Sequence, residues 1–143
     1  MTVRQVIELA KVSELNGLKV AGNDTAILGF LNLGVLELYK RFSLKVEEYI
    51  IELDESVGVY TMPSDYMWII AAYGEVDVKS VETVNELPIN EEDNPLSINT
   101  VGWNKLQVPL SVNGAFVSII YVARPAMYEL SELDSTLDLP PQM

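Results

Sequence analysis

Cysteine and histidine are both absent from this 143-residue sequence. Without cysteine there can be no disulfide, thiolate metal ligand or thiol nucleophile. Without histidine the chain lacks the commonest general base, the commonest metal ligand and the only side chain that titrates unperturbed near neutrality. No apolar run approaches the roughly 18 residues that suggest a membrane span. The opening Met1-Thr2-Val3-Arg4-Gln5 has neither a long hydrophobic region nor a small-residue cleavage site. Synthesis in a reducing cytoplasm, with no membrane partner, is the expectation. Positive charge is also scarce, with 9 Lys and Arg against 21 Asp and Glu, a net charge of −12. Such a field repels nucleic-acid phosphates and argues against ordinary DNA or RNA binding.

Apolar residues make up 49% of the chain, enough for one core without staples. The charge is uneven. Residues 1–45 hold six basic and four acidic groups, whereas residues 46–143 hold three basic and seventeen acidic groups. This acidity suits a solubilising surface, or one that DNA must pass without sticking.

Hydrophobic spacing divides the chain in the same way. Thr2 and Gln5 have capping-box spacing and predict a helix from near Val3, with Val3, Val6, Ile7 and Ala10 on one stripe and Asn16-Gly17 closing it. A second helix is expected from about Thr25 to Phe42, with Asn23 or Asp24 as its N-cap. Leu28, Leu31, Val35, Leu38 and Phe42 step by three and four residues, a seam suited to a helical partner. Ile27, Phe30 and Gly34 widen that surface, and Gly29 and Gly34 suggest close helix packing. From residue 46 the period changes to two: Tyr49, Ile51 and Leu53 share a face, with Glu48 and Glu52 opposite. Asp54-Glu55-Ser56 predicts a turn, with Val57–Met62 returning as a hairpin. Met67–Tyr73 reads as a strand, and residues 79–99 as a long excursion with at most short strands. A second hairpin is expected from residues 101–110 and 115–123 about Asn113-Gly114, its second arm apolar on both faces and therefore central. The expected fold is α+β, as one structural domain: a helical region over 1–45, an antiparallel β region over 46–126, and an extended acidic tail over 127–143. Leu137 and Leu139 lie in that tail, which ends in Pro140-Pro141-Gln142-Met143 and is a candidate for ordering by a partner.

A search for chemistry finds little. Glu91-Glu92-Asp93, with Glu86, has the oxygen ligands a hard cation takes, but not the spacing of an EF-hand loop. Glu48 and Glu52 lie four residues apart on one strand, too far for a tight carboxylate pair. Trp68 and Trp103 sit among apolar residues, a setting that suits packing more than sugar stacking. No phosphate loop or basic-aromatic platform is present. Neither a catalytic residue nor a cofactor or metal site is expected.

Element order and short motifs carry more information. Leu36-Glu37-Leu38-Tyr39-Lys40-Arg41-Phe42 is followed by Glu48-Tyr49-Ile50-Ile51-Glu52-Leu53, then by Val59-Tyr60-Thr61-Met62-Pro63-Ser64-Asp65-Tyr66. Tyr121-Val122-Ala123-Arg124-Pro125 and Leu137-Asp138-Leu139-Pro140-Pro141 come later. Across nearly its whole length the chain resembles the head-to-tail connector (adaptor) proteins of tailed bacteriophages. The resemblance implies helices packed on a β-sandwich-like domain and a homo-oligomeric ring, often of about a dozen copies, in the virion at the head–tail junction. It implies a portal protein and a tail tube or nozzle protein as partners, with DNA passing through the channel unbound, and no catalytic residues. Members commonly continue past the Leu-Pro-Pro equivalent into a C-terminal helix, which this sequence lacks. The subunit interface then falls on Leu28, Leu31, Val35, Leu38, Phe42, Leu137 and Leu139. The alternative is an acidic interaction module, a nucleic-acid mimic that binds a host protein.

Overall fold

In the computed structural model, residues 1–13, 22–78, 81–109 and 116–140 are described. The expected turns at Asn16-Gly17 and Asn113-Gly114, and the end of the Pro-Pro segment, lie outside them. The fold is α+β, and the chain divides into two units, one formed by Met1–Leu44 with Arg124–Met143, the other by Lys45–Ala123.

The first unit holds α1 (Val3–Val12), α2 (Asp24–Phe42) and a 3-10 turn, Leu130–Glu132. The capping box forms as its spacing predicts: the Gln5 amide donates to Thr2 Oγ1 at 3.3 Å, and the Thr2 amide to Gln5 Oε1 at 2.9 Å. Asn23 caps α2 by accepting from the Ala26 amide, and Ser43 ends it in the left-handed region. Lys40 and Arg41 occupy the last turn, where the helix dipole favours cations. The core of this unit is Val3, Ile7, Ile27 and Leu28, with Ala10, Leu31, Tyr128, Leu133 and Leu137 packed against it.

The C-terminal segment is therefore not the extended tail that its acidity suggests. It folds back along its own helices. Thr2 and Thr136 form an antiparallel bridge. The amides of Val3 and Arg4 donate to the carbonyls of Ser135 and Leu133 at 3.0 and 2.7 Å. Those are two of the orphan donors of the first turn of α1, so the segment completes the cap that Thr2 begins.

The second unit contains β1 (Val46–Glu52), β2 (Val59–Thr61), β3 (Tyr66–Val78), β4 (Val81–Glu86), β5 (Asn99–Gly102), β6 (Lys105–Gln107) and β7 (Phe116–Ala123). They form a four-stranded sheet in the order β1-β7-β3-β4 and a three-stranded sheet in the order β2-β6-β5, with antiparallel pairings throughout. Buried side chains from both sheets share one core, including Ile51, Tyr66, Val117, Ile119 and Tyr121 from the first and Leu106 from the second. This is the layered sandwich arrangement.

Both expected hairpins are corrected. β1 pairs with β7 over seven residues, not with the segment after Asp54-Glu55-Ser56. That segment offers only three strand residues before Pro63, and it pairs with β6 in the other sheet. The eight-residue β7, apolar on both faces, is the better partner, and it is central as expected. The stretch from 101 turns on itself at Trp103-Asn104, so β6 returns against β5. Residues 79–99, read as an excursion, contain the six-residue β4 on the edge of the larger sheet.

Candidate functional site

Strand alternation places Tyr49 and Ile51 on the inner face of β1, and Val46, Glu48, Ile50 and Glu52 on the outer one. The register then builds the outer face row by row: Glu48 opposite Ile120, Ile50 opposite Ser118, Glu52 opposite Phe116. On the other side of β7, Ala71 lies opposite Ile120 and Tyr73 opposite Ser118. The usual antiparallel sheet turns apolar residues inward and polar ones outward. Here Ile50 and Phe116 stand outward, 57% and 45% exposed, beside Tyr73 and Ile120. Between them lies an open groove of about 540 Å³. The Ser118 hydroxyl donates to Glu48, which holds that carboxylate at the groove wall. The result is an apolar floor with an acidic margin, on a unit with thirteen acidic and three basic residues.

The second surface is on α2. Its inner face is the predicted seam, and the structure fills most of it from within the chain. Leu28 belongs to the helical core, and Leu31 and Leu137 pack against it. Val35 is buried, and Leu38 and Leu139 are half-buried. Phe42 alone among the seven candidate interface residues stands exposed, past the covered part of the seam. Leu28, Leu31 and Leu137 thus serve internal packing, in a core that the C-terminal segment helps to cover. The free face of α2 is the opposite one, where Phe30 and Leu33 are 57% and 61% exposed. Glu37, Lys40 and Arg41 continue the same stripe at helical spacing, and Arg41 pairs with Glu37 at 3.2 Å. Gly29 and Gly34 do not mediate close packing: a Cβ at either would meet nothing within 4 Å.

Asparagine and tyrosine side chains fasten the covered side of α2. Asn32 acts as a backbone mimic, donating to the Tyr128 carbonyl at 2.9 Å and accepting from the Tyr128 amide at 2.8 Å. The Tyr39 hydroxyl donates to the Asp138 carbonyl at 2.6 Å, and the Tyr128 hydroxyl accepts from the Asp138 amide at 2.6 Å. Burial, and then the hydrogen bond to Asp138, push the Tyr39 phenol up to about 12. In the β unit Tyr121 stacks obliquely on Tyr66 at 5.7 Å and donates to Asp65 Oδ1 at 3.1 Å. Burial and that hydrogen bond raise it, too, to about 12. Arg4 meets Asp134 at 2.8 Å and holds its carboxyl below the usual range.

The acidic run at 91–93 is exposed and forms a turn in which the Ser97 hydroxyl accepts from the Glu91 amide. Among the described residues no three acidic side chains converge in a way that could hold a metal ion. No described helix is long and apolar enough to cross a membrane. Trp68 lies on the outer face opposite Val122, whereas Trp103 stands in the turn between β5 and β6, 65% exposed, and not in a strand.

Sequence reasoning missed the outer face of the sheet and the free face of α2. The signals were present: the unbroken Tyr49-Ile50-Ile51, the double-sided apolar pattern of β7, and the three-residue step from Phe30 to Leu33. The same patterns also mark a central strand and a wide helix core, so they do not by themselves single out an outward apolar face. No protein-family model matches this sequence, and no curated protein aligns with it.

Proposed function

We propose that this chain is a structural virion protein, an adaptor that forms a ring between portal and tail and continues the DNA channel. The observation that carries the reading is that two apolar faces stand uncovered among the described residues. One lies on the outer side of the four-stranded sheet and one on α2, in a chain whose net charge is −12. A monomer gains nothing from leaving Ile50, Phe116, Phe30 and Leu33 in water, whereas an assembly buries them. The order of the elements and the motifs around Tyr60–Tyr66 and Tyr121–Pro125 supply the link to head-to-tail adaptors. An acidic β unit repeated around a ring presents DNA with a surface that repels its phosphates, so DNA slides without adhering. The expected partners are further copies of the chain, the portal protein and a tail tube or nozzle protein.

Deleting the gene from the genome that encodes it tests this reading. Heads that package DNA yet carry no tail, rescued by the intact chain in trans, are the expected outcome. Complete tailed particles assembled without the chain would overturn it.

The acidity of the β unit favours one other reading, a nucleic-acid mimic bound to a basic site on a host protein. That reading predicts a stable monomer that displaces DNA from its target at low salt and releases the target as salt rises.

A further inference from the structure

We infer that the two uncovered faces are partners: the groove on the outer sheet face of one copy receives the free face of α2 from a second copy. Three observations lead there. First, both surfaces are apolar at the centre, with Ile50 and Phe116 on the sheet and Phe30 and Leu33 on the helix. Second, their margins are opposite in charge. Glu48 and Glu52 border the sheet face, whereas the stripe below Leu33 carries Lys40, Arg41 and the Glu37 that pairs with Arg41, a margin of net positive charge. Third, self-pairing of the sheet face would bring two acidic margins into one contact, whereas the helix face brings a margin of the opposite sign. The helix surface is the one of the two that offers cations beside exposed apolar side chains.

The geometry of such a contact has a consequence. The contact joins unlike surfaces, so a pair made through one such contact is heterologous and retains one free helix face, on the first copy, and one free groove, on the second. Contacts of this kind propagate until they close into a ring or continue as a filament. The inference supplies the contact surfaces for the adaptor reading, and it rests on that reading only for the closure into a ring. A helix stripe laid in an apolar groove is a familiar recognition mode, anchored by side chains three and four residues apart. Exposed Gly29 and Gly34 flank Phe30 and Leu33 and leave them standing as a ridge.

Two variants of the full chain, Phe116→Glu and Leu33→Glu, test the pairing by sedimentation velocity over a concentration series. Both positions are exposed, and far-UV circular dichroism checks that each variant keeps its fold. The wild-type chain is expected to self-associate. Each variant alone is expected to weaken association by at least about tenfold, because a buried carboxylate replaces an anchor. The decisive sample is the mixture. Phe116→Glu keeps an intact helix face and Leu33→Glu an intact groove, so the mixture is expected to form a 1:1 dimer and stop there. A misfolded variant cannot produce that rescue. Wild-type chain that stays monomeric, variants that associate as the wild type does, or a mixture that remains monomeric would each overturn the inference. Association unaffected by both variants would leave the adaptor reading in place with different contacts. Complete tailed particles in the gene deletion would overturn the adaptor reading and leave this pairing untouched.

Discussion

Two tyrosines show how single groups hold each unit together. Tyr39 is 2% exposed and donates to the Asp138 carbonyl, so its phenol keeps its proton up to about 12. A phenol with a folded-state value above its ordinary 10 favours the native state at all pH values below 10. That contribution is lost as pH rises through about 12. The same holds for Tyr121 against Asp65. Stability measured by urea unfolding should therefore fall between pH 10 and 12, by on the order of 2 kcal/mol per tyrosine. Tyr39→Phe should cost about 1 kcal/mol at pH 7, through the lost hydrogen bond, and should flatten the alkaline decline. Lys11 is likewise held above its ordinary value, by Asp24 and Glu8, and also titrates on the alkaline side. The comparison that counts is thus wild type against Tyr39→Phe, read with tyrosinate absorbance. An alkaline decline unchanged by the variant would contradict the role given to Tyr39.

At the scale of elements, the C-terminal segment is the part of the helical unit that sequence reasoning did not place. Tyr128, Leu133 and Leu137 cover the helical core, and each such side chain contributes roughly 1.5–3 kcal/mol when fully buried. Removing residues 125–143 should therefore lower the helical circular dichroism signal and open residues 1–44 to protease. Unchanged helicity would show that the two helices stand without their cover. Helix substitutions give the opposite sign. Gly29 and Gly34 lie in the interior of α2 and face open space, so Gly29→Ala and Gly34→Ala should each stabilise the chain by up to about 1 kcal/mol in chemical unfolding. A loss of stability would mean that a neighbour does meet those positions. Much of this architecture was legible in local pattern: the Thr2–Gln5 capping box, the limits of α2, the alternation of β1 and the centrality of β7 all follow from spacing. Pairing was not legible, because it is a competition among strands. β1 has an eight-residue partner in β7 and only a three-residue one in β2, and no local rule compares them. The docking of 124–140 was hidden for a related reason: its acids, Glu129, Glu132, Asp134 and Asp138, disguise the apolar Tyr128, Leu133 and Leu137 between them.

For the whole molecule, the central matter is what covers two apolar faces on a chain of net charge −12. The candidate interface read from the helix seam turned out to be mostly internal, since Leu28, Leu31 and Leu137 already have partners within the chain. The outward faces were obscured by their neighbours in sequence: Ile50 sits between a core residue and a half-buried tyrosine, and Phe30 sits beside glycine. Association through these faces must overcome the repulsion among copies, so it should strengthen as salt screens that repulsion, until the attraction of Glu48 and Glu52 for Lys40 and Arg41 is screened as well. Native mass measurement of the chain, incubated with the portal ring encoded in the same genome, bears most directly on its proposed role. A complex heavier than the portal by a fixed whole number of 15.9 kDa chains is expected. A portal of unchanged mass, beside a free chain at 15.9 kDa, would contradict it.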